Sequence, residues 1–199
     1  MLEAIVFDIG NVLLRFDFNR AIERIAPFCG VPIPEIPQKM EPLKMDLESG
    51  RLAGEAFLAT LEQVLEYGGD RQLLKQAWQE IFEPIEATHQ LVAHLSSRVP
   101  LFLLSNTNDL HTEYFLARYE VFKHFQDAVY SHEAGLMKPD LAIYKHALKR
   151  FKLSGEKLLF IDDLAPNVDA AQAAGWNTHL YHEGNHAALL KQLGEHGVL

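Results

Sequence analysis

Short apolar runs closed by polar or small residues recur along the chain, at Ala4 to Phe7, Pro100 to Leu104, Asp127 to Tyr130, Lys157 to Ile161 and Asn177 to Tyr181. Runs this short, apolar throughout, predict parallel strands buried on both faces. Between them the apolar spacing switches to three and four. Glu86 to Ser97 carries Leu91, Val92 and Leu95 on one helical face. Leu141 to Phe151 does the same with Ile143, Tyr144, Ala147, Leu148 and Phe151. Asn167 to Ala174 is rich in alanine and stops at Gly175, a residue suited to a helix C-cap. Strands alternating with helices over short connections predict an α/β fold, a doubly wound parallel sheet with helices on both faces.

One segment departs from that rhythm. From about Phe18 to Phe82 the pattern is helical, over Arg20 to Phe28, Glu55 to Tyr67 and Arg71 to Phe82, with no convincing strand. The proline-rich VPIPEIP, Val31 to Pro37, separates the first helix from the others, and DLESGRL reads as a turn between helices. The expectation is a small all-helical cap, residues 16–85, set over a core built from residues 1–15 and 86–199. Phe16, Phe18, Phe28, Phe57, Tyr67, Trp78 and Phe82 fall mostly at helical spacing and are expected to form its core.

Composition narrows the class. At 199 residues, 48% apolar and 23% charged, the chain is ordinary for a globular protein. Its formal charge of −9 gives no basic field to draw in nucleic acid, so none is expected as a partner. The single cysteine, Cys29, has no partner for an internal disulfide, which fits a reducing compartment. The start, MLEAIVFDIG, lacks a basic region and meets Asp8 at once, so it reads as a first strand and not as a targeting signal. No apolar run approaches the roughly 18 residues of a bilayer span. The expectation is a cytoplasmic protein without a membrane partner; the sequence is silent on oligomeric state.

In doubly wound sheets ligands bind beyond the C-terminal strand ends. Here those ends carry Asp8, then Ser105 and Asn106 in LLSNTND, then Lys138 in SHEAGLMKPD, then Asp162, Asp163 and Asn167 in FIDDLAPN. Two carboxylates at the mouth of a sheet, Asp8 and Asp163, make a hard oxygen site suited to Mg²⁺. Ser105 and the amides after it suit phosphate oxygens, and Lys138 suits the charge on a phosphate and on Asp8. A carboxylate attacks phosphorus in line if a cation screens the repulsion between the two anions. Taken singly, each residue has a plain structural reading. Asp8 ends a strand or caps a helix, Ser105 sits in a turn, Lys138 before Pro139 marks a helix start, and Asp162 and Asp163 form an N-cap pair. The ten histidines are scattered without zinc-type spacing, although His132 lies between the third strand and Lys138. Arg15, Phe16, Glu48 and Arg51 are candidates for facing a substrate from the cap.

Taken together, FDIGNVL, LSNTN, GLMKPD and FIDDLAPN resemble, in order, the four motifs of the haloacid dehalogenase-like hydrolases, and the helical insert is similar to the cap of that superfamily's cap-type I members. The resemblance implies a Rossmann-like core. More narrowly, FDIGNVLLRFDFNR and LSNTNDLHTEYF resemble the bacterial α-D-glucose-1-phosphate phosphatase group, and more distantly the phosphatase domain of soluble epoxide hydrolases. It implies a Mg²⁺-dependent phosphatase acting on a small phosphorylated metabolite, with a sugar phosphate such as glucose 1-phosphate as the first expectation. Asp8 becomes nucleophile and metal ligand, Gly10 lends its backbone carbonyl to the metal, and Asp163 ligates it. Ser105 and Asn106 hold the phosphoryl oxygens, Lys138 steadies the phosphoaspartate, and Asp162 and Asn167 act from behind the metal. The chain departs from the family at Gly10, where most of its phosphatases carry a second aspartate as general acid and base. The leaving group's proton then comes from a metal-bound water or a cap residue, or the leaving oxygen is acidic enough to need less help. The departure also admits a phosphate-binding regulatory protein with weak chemistry. A metal-free 2-haloacid dehalogenase fits Asp8 but gives the Asp162–Asp163 pair no purpose.

Overall fold

The computed structural model describes residues 2–199. Among them a five-stranded parallel sheet has the order β5-β4-β1-β6-β7, from β1 (Ala4–Phe7), β4 (Leu101–Ser105), β5 (Asp127–Tyr130), β6 (Leu158–Asp162) and β7 (Asn177–Leu180). β1 is central: Phe7 stands level with Leu103 of β4 on one side and Ile161 of β6 on the other. This register brings the C-terminal ends of the first, second and fourth core strands side by side. Asp8, one residue past β1, is tied to β6 through its N–H and the Ile161 carbonyl at 2.9 Å.

Alternate residues of each strand feed two apolar layers. Ile5, Phe7, Leu101, Leu103, Leu159 and Ile161 face Val92 and Leu95 of α5 (Glu86–Leu95) and Leu189 and Leu193 of α10 (His186–Glu195). Ala4, Val6, Phe102, Leu104 and Phe160 face Ile143, Tyr144 and Ala147 of α8 (Leu141–Phe151) and Ala171 of α9 (Ala165–Ala173). The sheet is thus covered on both sides, as its unbroken apolar strands require. α6 (Asp109–Arg118) and the short α7 (Ser131–Ala134) follow β4 and β5.

The segment expected to form the cap holds α1 (Phe18–Ile25), α2 (Ile36–Glu48), α3 (Gly54–Val64) and α4 (Arg71–Gln79), packed around an apolar cluster of their own. Ile25, Ile36, Leu47, Phe57, Leu61 and Trp78 are buried there, and Leu110 of α6 joins them from the core. Aspartates start two of these helices: Asp17 accepts from the Asn19 N–H, and Asp70 from those of Gln72 and Leu73.

Three sequence expectations change. The helix expected over Arg71 to Phe82 ends at Gln79, and β3 (Phe82–Pro84) pairs antiparallel with β2 (Leu14–Phe16) in a ribbon at the root of the cap. Phe82 packs edge-on against His111 and Phe115 while Glu83 points out to Arg15 and Arg20, an alternation too short to stand out beside the preceding helix. Helix α2 was not expected, because its prolines read as breakers. Pro37 lies in its first turn, where no N–H partner is needed, and Ile36, Met40 and Leu47 bury one face despite Pro42. Helices α6 and α10 were also not expected.

Cap and core are joined through His111 of α6. Its Nε2 donates to the Trp78 carbonyl of α4 at 3.0 Å, its Nδ1 accepts from Asn108 Nδ2 at 2.9 Å, and its ring stacks on Trp78. Both nitrogens are satisfied in the neutral form, and burial drives the imidazole down from 6.5 to about 3. The folded pKa lies below the unfolded one, so the unfolded chain binds the proton first and stability falls as pH drops below 6.5. A His111→Gln variant is expected to be less stable than wild type at pH 7.5. In urea titrations that gap should narrow by about 2 kcal/mol between pH 6.5 and pH 5. A gap that stays constant or widens contradicts a neutral buried His111.

Candidate active site

A cleft of about 240 Å³ opens at the strand ends, between sheet and cap. Asp8, Gly10, Ser105, Asn106, Lys138, Asp163 and Asn167 line it, so the structure brings the motif residues to one place. Asp162 lies immediately behind, fully buried at the end of β6.

The centre is Lys138, whose side chain is 1% exposed. Its Nζ is 2.9 Å from Asp8 Oδ1 and 2.6 Å from Asp162 Oδ2. The same Asp162 carboxylate accepts from Asn167 Nδ2 at 3.0 and 3.1 Å and from the Leu164 N–H at 2.9 Å. Both its oxygens are engaged, so Asp162 anchors the lysine and its own loop. The Asn167 carbonyl accepts in turn from the Tyr144 hydroxyl at 2.9 Å. The backbone of Lys138 is fixed separately: its N–H donates to Asn106 Oδ1 and its carbonyl accepts from Asn106 Nδ2, each at 2.9 Å. Both ends of the Asn106 side-chain amide are therefore committed to the Lys138 backbone, which leaves its backbone N–H as the group of Asn106 free to meet the expected phosphate.

Asp163 meets Asn11, whose Nδ2 donates to its Oδ2 at 3.0 Å. Asn11 holds the left-handed conformation, φ 51°, directly after Gly10. Asparagine tolerates that backbone better than most residues, and this is the signal that marks it from sequence. Gly10 has a steric reason of its own. A Cβ there would lie 2.9 Å from Cε1 of Phe16, which lines the same cleft. The ring of Phe16 occupies the space into which a side chain at position 10 would grow.

One oxygen each of Asp8, Asp162 and Asp163 lies within 4.8 Å of the others. Three carboxylates share one ammonium in a low-dielectric pocket, which leaves a deficit of positive charge. Burial pushes Asp8 well above the ordinary carboxylate range, with Lys138 opposing and Asp162 adding to the rise. Asp163 is raised as well, chiefly by burial, with Asn11 opposing. Asp8 Oδ1 is buried, and its approach to Lys138 is an ion pair rather than a directed hydrogen bond. A hard divalent cation between Asp8 and Asp163 fits both the charge and the donor type.

The remaining sequence candidates divide. Phe16 and Glu48 line the cleft, and with them Lys44, Thr107 and Leu164, which sequence reasoning did not single out. Arg15 turns outward to Glu183 and Glu83, and Arg51 pairs with Asp46 at 2.7 Å on the surface. His132 stacks on Tyr130, with Nδ1 3.1 Å from the Thr107 carbonyl, and stays out of the cleft wall. Ser131, which was not anticipated, accepts from the Thr107 N–H and donates to the Glu48 carbonyl at 2.6 Å, joining cap to core.

Removing the shared cation of the buried cluster has a defined cost. Lys138→Met leaves Asp8 and Asp162 uncompensated and is expected to lower stability by about 3–5 kcal/mol at pH 7 in urea titration. A loss below about 1 kcal/mol would show that Lys138 is not holding these carboxylates in their ionised form.

Known proteins place this geometry. The family profile described as a haloacid dehalogenase-like hydrolase matches residues 2–175. A D-ribitol-5-phosphate phosphatase of Bacteroides thetaiotaomicron is 23% identical over 190 residues, covering 89% of this chain and 91% of that one. A phosphorylated carbohydrates phosphatase of Thermotoga maritima is 24% identical over 186 residues, covering 87% of this chain and 82% of that one. A haloacid dehalogenase family enzyme of Bacteroides thetaiotaomicron, solved with magnesium and inorganic phosphate, superposes with a TM-score of 0.84 at 22% identity over 93% of this chain and 96% of that one. With a matched profile spanning most of its length, the chain belongs to the haloacid dehalogenase-like hydrolases.

Proposed function

We propose that the protein is a Mg²⁺-dependent phosphomonoester hydrolase in which Asp8 attacks phosphorus and forms an aspartyl-phosphate. The observation that carries the reading is the buried cluster of Asp8, Asp162 and Asp163 around the single ammonium of Lys138. A relative that hydrolyses D-ribitol 5-phosphate, another named for phosphorylated carbohydrates, and a structural neighbour holding magnesium and phosphate support it.

Each residue has a role its surroundings suit. Asp8 and Asp163, with the Gly10 carbonyl, would hold Mg²⁺, which when bound screens the repulsion between carboxylate and phosphate. Lys138 balances charge on Asp8 and on the transferred phosphoryl group. The Ser105 hydroxyl and the backbone of Asn106 receive the phosphoryl oxygens, since the Asn106 side chain is already bonded to Lys138. Asp162 and Asn167 keep Lys138 in place. The cap closes the cleft with Phe16, Phe18 and Phe82, which limits water at the reacting centre. A small phosphorylated metabolite fits the cleft, and sugar or polyol phosphates come first because the relatives act on them.

Phosphate release from 4-nitrophenyl phosphate and from a panel of sugar and polyol phosphates, with Mg²⁺ and with chelator, tests the reading. Turnover should require Mg²⁺, and Asp8→Asn should abolish it. Turnover that survives in Asp8→Asn, or halide release from 2-haloacids without metal, contradicts the mechanism.

A further inference from the structure

An ester with a poor leaving group needs a proton donor at the departing oxygen, and the cleft offers few. The titratable side chains lining it are Asp8, Lys44, Glu48, His111, Lys138 and Asp163. Asp8 and Lys138 are paired with each other, and Asp163 accepts from Asn11. His111 has both nitrogens engaged by Asn108 and Trp78. Lys44 directs its ammonium toward Glu41, 3.4 Å away, and over the Phe18 ring. Glu48 remains. Its carboxyl joins no ion pair and no hydrogen bond among the described residues.

The end of helix α2 is held firmly where this side chain emerges. The Glu48 carbonyl accepts from Ser131 Oγ, which also binds the Thr107 N–H beside Ser105 and Asn106. Two residues on, Gly50 takes φ 75° so closely against α7 that a Cβ would stand 2.2 Å from the His132 carbonyl. Position 50 thus lacks room for any side chain, and the helix end cannot drift from the core without breaking these contacts.

We propose that Glu48 is the general acid that protonates the leaving oxygen, a role that rests on the phosphatase reading above. Burial raises its carboxyl to about 7, with Glu41 and Asp8 adding to the rise and Lys44 opposing it, so a protonated fraction persists at neutral pH. As the bond from Asp8 to phosphorus forms and the bond from phosphorus to the leaving oxygen breaks, the Glu48 proton passes to that oxygen and the alcohol departs. Water then attacks the aspartyl-phosphate, Glu48 takes the proton the water gives up, and Asp8 and inorganic phosphate are regenerated. Gly10 has no side chain to share this work.

Leaving groups of different acidity provide the test. With 4-nitrophenyl phosphate, whose leaving oxygen needs no proton, first-turnover release of nitrophenol by Glu48→Gln should stay within about tenfold of wild type; with benzyl phosphate, first-turnover release of the alcohol should slow by about 10²–10⁴. Glu48→Asp, which keeps an acid on a shorter stem, should recover part of the benzyl phosphate rate. A thermal shift with Mg²⁺ and phosphate should be unchanged in Glu48→Gln, because Ser131 holds only the backbone of Glu48. Equal slowing of this first-turnover release on both esters, or none on either, overturns the role of Glu48 while leaving the phosphatase reading intact. A wild type inactive on both esters overturns that reading and this inference together.

Discussion

The site depends on one ammonium placed between two buried carboxylates. Lys138 arrives on the loop after α7, yet its position is fixed from three directions: Asp162 and Asp8 bind Nζ, and Asn106 binds the backbone on both sides. Without the lysine two anions would be stranded at the strand ends; without Asp162 the lysine would have a single carboxylate partner. An ion pair this deep costs desolvation and is weak evidence for stability. Its presence at the mouth of the sheet favours chemistry, since it keeps a carboxylate and a cation facing the same small volume.

The sheet makes that placement possible. Parallel register aligns the ends of β1, β4 and β6, so Asp8 meets Ser105 and Asp163, residues far from it in sequence, from the two strands beside its own. The cap supplies the opposite wall and contributes aromatic rings together with Lys44 and Glu48. Contacts at His111, Ser131 and Gly50 tie cap to core close to the cleft. The two layers therefore share a boundary of specific polar bonds as well as apolar packing.

Much of this was legible in the sequence because strand-end chemistry follows directly from chain order. Unbroken apolar runs located the strands to within a residue, and polar residues at the ends of the first, second and fourth, Asp8, Ser105 and Asp163, are among those the structure gathers at the cleft. What escaped depended on tertiary neighbours. Helix α2 looked broken because four prolines surround or enter it, and only its packing on α3 outweighs the loss of the Pro42 hydrogen bond. The second bond of Asn106 also escaped, since nothing local reveals that its side-chain amide faces the Lys138 backbone 32 residues away. Gly10 read as a missing acid; the structure adds that Phe16, in a ribbon too short to detect, stands where a side chain would go.

Calorimetric titration of Mg²⁺ into the protein at neutral pH tests most directly whether the charge deficit at the strand ends is a cation site. The account predicts saturable binding of one ion per chain, lost in Asp163→Asn. No binding by the wild type, or binding undiminished in Asp163→Asn, would contradict it.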